Sequence, residues 1–382
     1  NAINMSKKVP RFLICNGDPS SYLTHGGLPY NLLKESKKNG LLDSGITLNY
    51  RKLKYFKYIW NLIQFIKYRN FGGFQYSYFY TNKLIKQILI SPDIKINILS
   101  IYPLLPNYPW SKKWTVDFYI DATTKQILEN YSIGKNLNKE FKDKILKREK
   151  INYLNSKNII CRSNWAAKSL LEDYQIDKNK VHVIPGGANL DLKEIKSKSI
   201  LFIPPKPSKN NPIVLGFLGR DWDRKGGSFL ISLADVFYRK NIPFQIRVIG
   251  PLKKNIPLHP NLKYVGFLDK FKNLDLFINE LKSWHYGTLF SKAEAFGISN
   301  RECLILGVPV ICHDIGGIAS TLPKSDFGKI FKSNPNPEFV YEWIINSFNP
   351  YNKYVNLREK LFNKRSEFTW DTAVKNLKDV LD

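Results

Sequence analysis

Two glutamates stand eight positions apart in the run Ser291 to Gly317, SKAEAFGISNRECLILGVPVICHDIGG. Tyr286 to Phe290 reads as a buried strand, Ser299 to Leu306 as a helix and Val308 to His313 as the next strand. That order sets Glu294 in a strand-to-helix loop and Glu302 in the helix's first turn. Such a loop, at the carboxyl edge of a parallel sheet, offers free backbone N–H groups and the positive end of a helix dipole, which together suit a phosphate. The glutamates would then flank an anion site. Glu302 has a second reading, since Ser299 and Glu302 fit the S-x-x-E capping box. Glu294 has no comparable structural role, and Gly297 in its loop lets a backbone come close to a ligand.

A basic group follows the strand Ile213–Gly219. The run Gly219-Arg-Asp-Trp-Asp-Arg-Lys-Gly-Gly227 forms a glycine-rich loop ahead of a helix from Ser228. Arg220 and Lys225 would hold a diphosphate there, the guanidinium by forked contact and the ammonium as a point charge. Taken alone, the loop reads equally as solvated basic surface. In the first half of the chain, the strand Arg11–Asn16 leads to His25-Gly26-Gly27-Leu28-Pro29, whose glycines suit amides pointing into a cleft and whose proline suits a helix's first turn. Phe118-Tyr-Ile-Asp121-Ala-Thr123 puts a carboxylate just past a strand end, where Asp121 or Thr123 serves equally well as a helix cap.

The run Glu294 to Glu302, followed by Gly307-Val-Pro-Val310 and Gly316-Gly317, resembles the Glu-x7-Glu signature of glycosyltransferase family 4, retaining enzymes with the GT-B fold. The resemblance implies that Glu294 meets hydroxyls of a donor sugar and Glu302 the nucleotide ribose. Gly219, Arg220 and Lys225 resemble the family's G-R…K-G element, which with amides around Gly297 and Ile298 would stabilise a departing diphosphate. Gly26 and Gly27 would lie beside that diphosphate and the acceptor, Asp121 would face the reacting sugar, and the turn Val265-Gly266-Phe267-Leu268 would edge the nucleobase. Cys161-Arg-Ser163-Asn-Trp-Ala166 and Val183-Ile-Pro185-Gly-Gly-Ala-Asn189 resemble two further family elements, with Gly186 where an asparagine is usual.

The implied reaction moves a hexosyl group, with retention, from a nucleotide-diphosphate sugar to a hydroxyl acceptor that is a glycan, a lipid-linked or a small molecule. The sugar nucleotide is a co-substrate, and neither a cofactor nor a metal is expected. A non-hydrolysing nucleotide-sugar epimerase of the same fold is the nearest alternative. A basic protein that binds nucleic acid or a membrane surface is the more distant one.

These residues need two sheets to position them. A chain of 382 residues suggests two domains, and strand-like runs alternate with helical segments throughout, the pattern of parallel α/β architecture. The expected strands are Arg11–Asn16, Ile46–Tyr50, Lys95–Ile101, Thr115–Ile120, Asn158–Arg162 and Val181–Ile184, then Ile213–Gly219, Phe244–Ile249, Leu262–Val265, Tyr286–Phe290 and Val308–His313. With the resemblance this gives two Rossmann-like, doubly wound domains facing a cleft: an acceptor domain over 5–200 and a donor domain over 208–350. The proline-punctuated stretch Lys193–Pro212 would link them. A terminal helix over about 360–382 would cross back onto the first domain or simply finish the second.

The formal charge of +27 admits compositional drift toward Lys, Asn, Ile, Phe and Tyr, or attraction to an anionic membrane or substrate. No nucleic-acid-reading motif accompanies the charge, so nucleic acid ranks last. Residues 51–69, RKLKYFKYIWNLIQFIKYR, interleave basic and aromatic residues without an acid, as a helix on an anionic membrane does, or as one packed on the first sheet does. Cys15, Cys161, Cys303 and Cys312 lack C-x-x-C spacing and the histidines form no metal-ligand pair, so reduced thiols are expected. No run approaches the ~18 apolar residues of a membrane span, and the opening NAINMSKKVPRF lacks a signal-peptide core. A cytoplasmic location is expected, at most peripheral at the membrane's inner face.

Overall fold

Short runs of β-branched and aromatic residues pair side by side in two separate sheets. In the computed structural model residues 8–131, 133–196, 200–323 and 325–382 are described. The expected start of the first domain at residue 5, and residues 197–199 of the expected linker, lie outside them. The first sheet contains β1 (Arg11–Ile14), β2 (Ser44–Ile46), β3 (Ile96–Ser100), β4 (Trp114–Ile120), β5 (Ile159–Cys161) and β6 (Val181–Val183), in the order β2-β1-β3-β4-β5-β6. The second contains β7 (Ile213–Leu218), β8 (Phe244–Ile249), β9 (Leu262–Gly266), β10 (Tyr286–Leu289), β11 (Val310–His313) and β12 (Gly328–Phe331), in the order β12-β11-β10-β7-β8-β9. Every pairing is parallel.

Parallel strands need crossover helices, and those helices cover both faces of each sheet. On the second sheet one face packs Leu281, Trp284, Leu304 and Phe368, and the other packs Leu233, Phe237, Val340 and Phe348. Read from its own first strand, this sheet has the order 3-2-1-4-5-6 of a dinucleotide-binding fold. Its switch point falls between β7 and β10, where such folds bind ligands beyond the strands' carboxyl ends. In the first sheet the corresponding reversal falls between β1 and β3.

The chain divides into two compact units, one of Asn1–Pro185 with Ala373–Asp382 and the other of Gly186–Thr372. The first ends earlier than the expected residue 200, because Ala188, Leu190 and Ile195 are buried in the second unit's core. Gly187 lies there against the backbone of Thr369 and Trp370, where an added Cβ would come within 2.1 Å of Trp370 N. The helix Trp370–Leu381 begins in the second unit and runs into the first. There the Arg11 guanidinium lies 2.9 Å from the Asp382 carboxylate and donates to Leu381 O at 2.6 Å.

One strand expectation needs correcting, and one strand, β12, was not expected. Ile46–Tyr50 is not a strand: β2 is Ser44–Ile46, and Tyr50–Leu53 forms a 3-10 turn that Asn49 caps through Arg51 N. Gly45 replaces an apolar signal in β2, because Pro19 and Leu33 crowd it to within 2.6 and 2.9 Å of where a Cβ would stand. The edge strand β12 carries only four residues, too few for a clear period.

Candidate functional site

In the second unit the loops after β7 and β10 are fastened to each other. Lys292 N donates to Arg224 O at 2.7 Å, and Gly226, at φ 88°, lies so near Phe290 O that an added Cβ would sit 2.1 Å from it. This seam brings the Lys225 ammonium 3.0 Å from Glu294 Oε2. Arg224 completes the group, donating to Ala293 O at 2.7 Å and lying 3.4 Å from the same carboxylate oxygen. Gly219 makes room for the Lys225 side chain, which passes 2.2 Å from where a Cβ would be.

Glu294 is therefore held by cations in a largely buried place. Burial by itself would push its carboxyl up, but Lys225 and Arg224 outweigh that and hold it below the usual carboxylate range. The loop after β11 braces its backbone: Gly317 N donates to Glu294 O at 3.0 Å, and Gly316, at φ 57°, would put a Cβ 2.0 Å from that oxygen. His313 donates through Nε2 to Ser291 O at 2.7 Å and accepts from Asn334 N at 3.3 Å, so it is a brace for the same loop.

Glu302 does not complete a capping box. The helix starts at Ile298 with Gly297 at its N-cap in the left-handed region, so Ser299 falls inside the first turn and its buried Oγ has no hydrogen-bond partner among the described residues. The Glu302 carboxylate, 3% exposed, pairs instead with the Lys270 ammonium from the turn after β9. Gly297 itself packs against Leu289, 2.7 Å from an added Cβ.

Arg220 does not join Lys225 on Glu294. It is exposed, with its guanidinium 5.6 Å from the centroid of the Phe267 ring, itself exposed. Gly266 adopts φ 103°, has open space where a Cβ would point, and accepts from Gly250 N at 3.0 Å. The carboxyl ends of β7, β9 and β10 thus carry three pairings: Lys225 with Glu294, Arg220 with Phe267, and Lys270 with Glu302. Arg224 and Lys270 escaped the reading of the sequence. Arg224 stands next to Lys225, and its part becomes visible only once the β10 loop lies against it; no motif marks Lys270.

The first unit carries its own predicted residues. Gly26 and Gly27 have φ of 67° and 88° in a 3-10 turn, and Gly27 is the N-cap of the helix Leu28–Lys38 with Pro29 in its first turn. The turn is held by His25 Nε2 on Asn16 O at 3.0 Å and borders a cavity of about 490 Å³ lined by Asn16, Asp18, Thr24, Asn49 and Arg51 among others. Thr123, not Asp121, caps the helix Thr124–Asn130, in a full capping box with Gln126. Asp121 is left half-exposed past the end of β4, accepting from the buried Arg162 at 2.7 Å. Ser163 caps the helix Asn164–Glu172 through Ala166 N, and in the second unit Asn189 accepts from the Trp370 indole at 3.0 Å, so these two motif residues have structural work.

All four cysteines are free and buried; burial pushes the thiols of Cys15 and Cys312 up to about 12, away from reactivity. Among the described residues no group of three or more His, Cys, Asp or Glu could hold a metal ion. No described helix is long and apolar enough to cross a membrane.

The two parallel sheets are those of GT-B glycosyltransferases. Over 98% of both chains the fold superposes on a glycosyltransferase from Rickettsia africae (16% identity, TM-score 0.63) and on sucrose-phosphate synthase from Thermosynechococcus elongatus (14%, TM-score 0.66). HepE from Anabaena, solved with UDP and glucose, is similar over 97% of this chain and 98% of its own (14%, TM-score 0.60). Residues 198–361 match the family model of glycosyl transferases group 1, a span that includes Lys225, Glu294, Glu302 and Lys270. No curated protein sequence matches the chain.

Proposed function

We propose that this chain is a retaining glycosyltransferase that takes a hexosyl group from a nucleotide-diphosphate sugar to a hydroxyl acceptor. The observation that carries the proposal is Glu294, anchored between Lys225 and Arg224 at the switch point of the second sheet, inside the span that matches the glycosyl transferase model. A carboxylate there suits sugar hydroxyls as donors, and the cations beside it suit a diphosphate. Lysine keeps spare N–H donors beyond its bond to Glu294, and arginine's fork has five. Charge growing on the leaving diphosphate would be met by these fixed groups, a mainly electrostatic and positional form of catalysis. The departing phosphate oxygen would take the acceptor proton on the same face, so no step is assigned to a metal.

Glu302, with Lys270, would meet the ribose, and Arg220 with Phe267 would meet the diphosphate and the base edge. The first unit, with Gly26, Gly27 and Asp121, would take the acceptor. The solved neighbour HepE holds UDP and glucose, in keeping with a sugar nucleotide as the ligand. The test is turnover of UDP-, GDP- and ADP-sugars followed by mass spectrometry, with Lys225→Ala and Glu302→Ala as controls. A product of unchanged mass would mean epimerisation, and unaltered kinetics in both variants would refute the site.

A further inference from the structure

The helix Lys54–Tyr68 in the first unit is amphipathic the wrong way round for a soluble protein. None of its residues is buried. Tyr55, Tyr58, Ile59, Leu62, Phe65 and Ile66 recur at spacings of three and four, so they share one face. That face points to solvent, with Tyr55, Leu62 and Ile66 exposed by 79, 60 and 66%. The opposite side attaches through a narrow and partly polar seam: Trp60 donates to Gly72 O at 2.8 Å, and Asn61 accepts from Gly72 N at 3.1 Å. Trp60 also packs its ring on Phe74 and Phe141. An ordinary surface helix buries its apolar stripe and shows its amides to water; this one does the reverse.

The stripe continues onto neighbouring residues. Phe71 stacks on Phe65 at 5.0 Å, Phe79 meets Phe56 at 5.2 Å, and Phe71, Tyr78 and Phe79 are exposed. Arg51, Lys52 and Lys54 lie at its start, Arg69 at its end, and Lys57 and Lys67 on the other side of the helix, and residues 51–69 include no Asp or Glu. We propose that the helix Lys54–Tyr68, with Phe71 and Phe79, is a docking face for an anionic lipid surface, lying in the interface with its apolar stripe inserted and its basic flanks on the headgroups. Burial of an apolar stripe together with attraction of basic residues is the pair of forces that holds an interfacial helix. A second copy fits the same face poorly, because a two-fold interface would set these basic flanks against each other with no acid from residues 51–69 between them. The proposal stands apart from the reading of the activity, and it needs no sugar nucleotide to be tested.

The experiment is flotation of the full chain with phosphatidylcholine–phosphatidylglycerol vesicles and with pure phosphatidylcholine vesicles. The chain should float with the anionic vesicles, float at least about tenfold less with the neutral ones, and be released by salt. Leu62→Glu with Ile66→Glu should abolish flotation while circular dichroism and melting temperature stay as in the parent, because both side chains are already in water. Equal flotation with neutral vesicles, or undiminished flotation of the double variant, would overturn the proposal. So would a concentration-dependent dimer in sedimentation that the double variant dissolves, since the face would then belong to a second copy.

Discussion

Lys225 Nζ lies 3.0 Å from Glu294 Oε2 although 69 residues separate them. The contact follows from topology, for β7 and β10 pair directly, Leu215 beside Tyr286 and Phe217 beside Thr288, and their loops leave the sheet at the same edge. Both side chains are only 12% exposed, so each charge needs compensation close by, Lys225 from Glu294 and Glu294 from Lys225 and Arg224 together. That dependence makes the pair sensitive to loss of either member, whatever ligand it serves.

Lys225→Ala should therefore lower stability by about 2 kcal/mol, below the ~3 kcal/mol that stripping a buried charge of its last partner costs, because Arg224 stays 3.4 Å from Glu294. Glu294→Gln added to it should recover part of that loss, because a buried carboxylate short of one of its two cations is gone. Chemical denaturation of both single variants and the double variant checks this. A double variant whose loss equals the sum of the singles would mean that the two residues do not interact.

Gly316→Ala should be more damaging than an alanine in a surface loop ordinarily is. Its φ of 57° disfavours a side chain, and the Cβ would fall 2.0 Å from the Glu294 carbonyl oxygen, which is backbone and cannot rotate away. A loss of about 2–3 kcal/mol is expected, with a matching loss of glycosyl transfer as the Glu294 loop shifts. A melting curve within a degree of the parent's, together with full activity, would show that the loop after β11 does not brace Glu294.

The sequence made the pieces of this site legible more readily than their pairings. Glu294, Lys225 and the glycines were readable because loop chemistry at strand ends has a local signature, and the strands that precede them, β7 and β10, are short but largely apolar runs. Ser299 and Glu302 misled, because a capping box is a local pattern that Gly297 pre-empts once the backbone turns left-handed one position before Ile298. Arg220 looked like the partner of Lys225, yet the seam between two loops distant in sequence selects Arg224. Ion pairs such as Lys270 with Glu302 depend on which strands adjoin, and strand order is a long-range property that no window of residues contains. The helix Lys54–Tyr68 shows the converse: its apolar period was plain, but only the fold decides which way the stripe faces.

His285 offers a pH test of the second unit's core. It accepts from Val214 N at 3.0 Å and donates to Pro205 O at 3.2 Å, and burial lowers its pKa from 6.5 to about 4. Between those values the unfolded chain holds a proton that the folded one refuses, so stability rises with pH there. The contribution is complete above about pH 6.5 and falls away toward pH 4, amounting to something on the order of 3 kcal/mol. Melting temperature should drop over that window, and the His285 ring resonance should stay that of a neutral imidazole down to about pH 5. A ring that titrates near 6.5 in the folded protein would contradict the burial argument.

The two glutamates should part company when nucleoside diphosphate and sugar nucleotide are titrated side by side by calorimetry. If Glu302 meets the ribose, Glu302→Gln should weaken both ligands alike, by about tenfold to a hundredfold, the worth of a hydrogen bond to a charged group. Glu294→Gln acts differently because of what it releases. With the carboxylate neutralised, Lys225 and Arg224 lose the anion they now share, so affinity for the bare diphosphate should hold or tighten. The sugar nucleotide would lose the carboxylate that receives its hydroxyls, so its advantage over the bare diphosphate should shrink. Parallel losses for both ligands in both variants would assign the two glutamates a common structural role and remove the division between sugar and ribose.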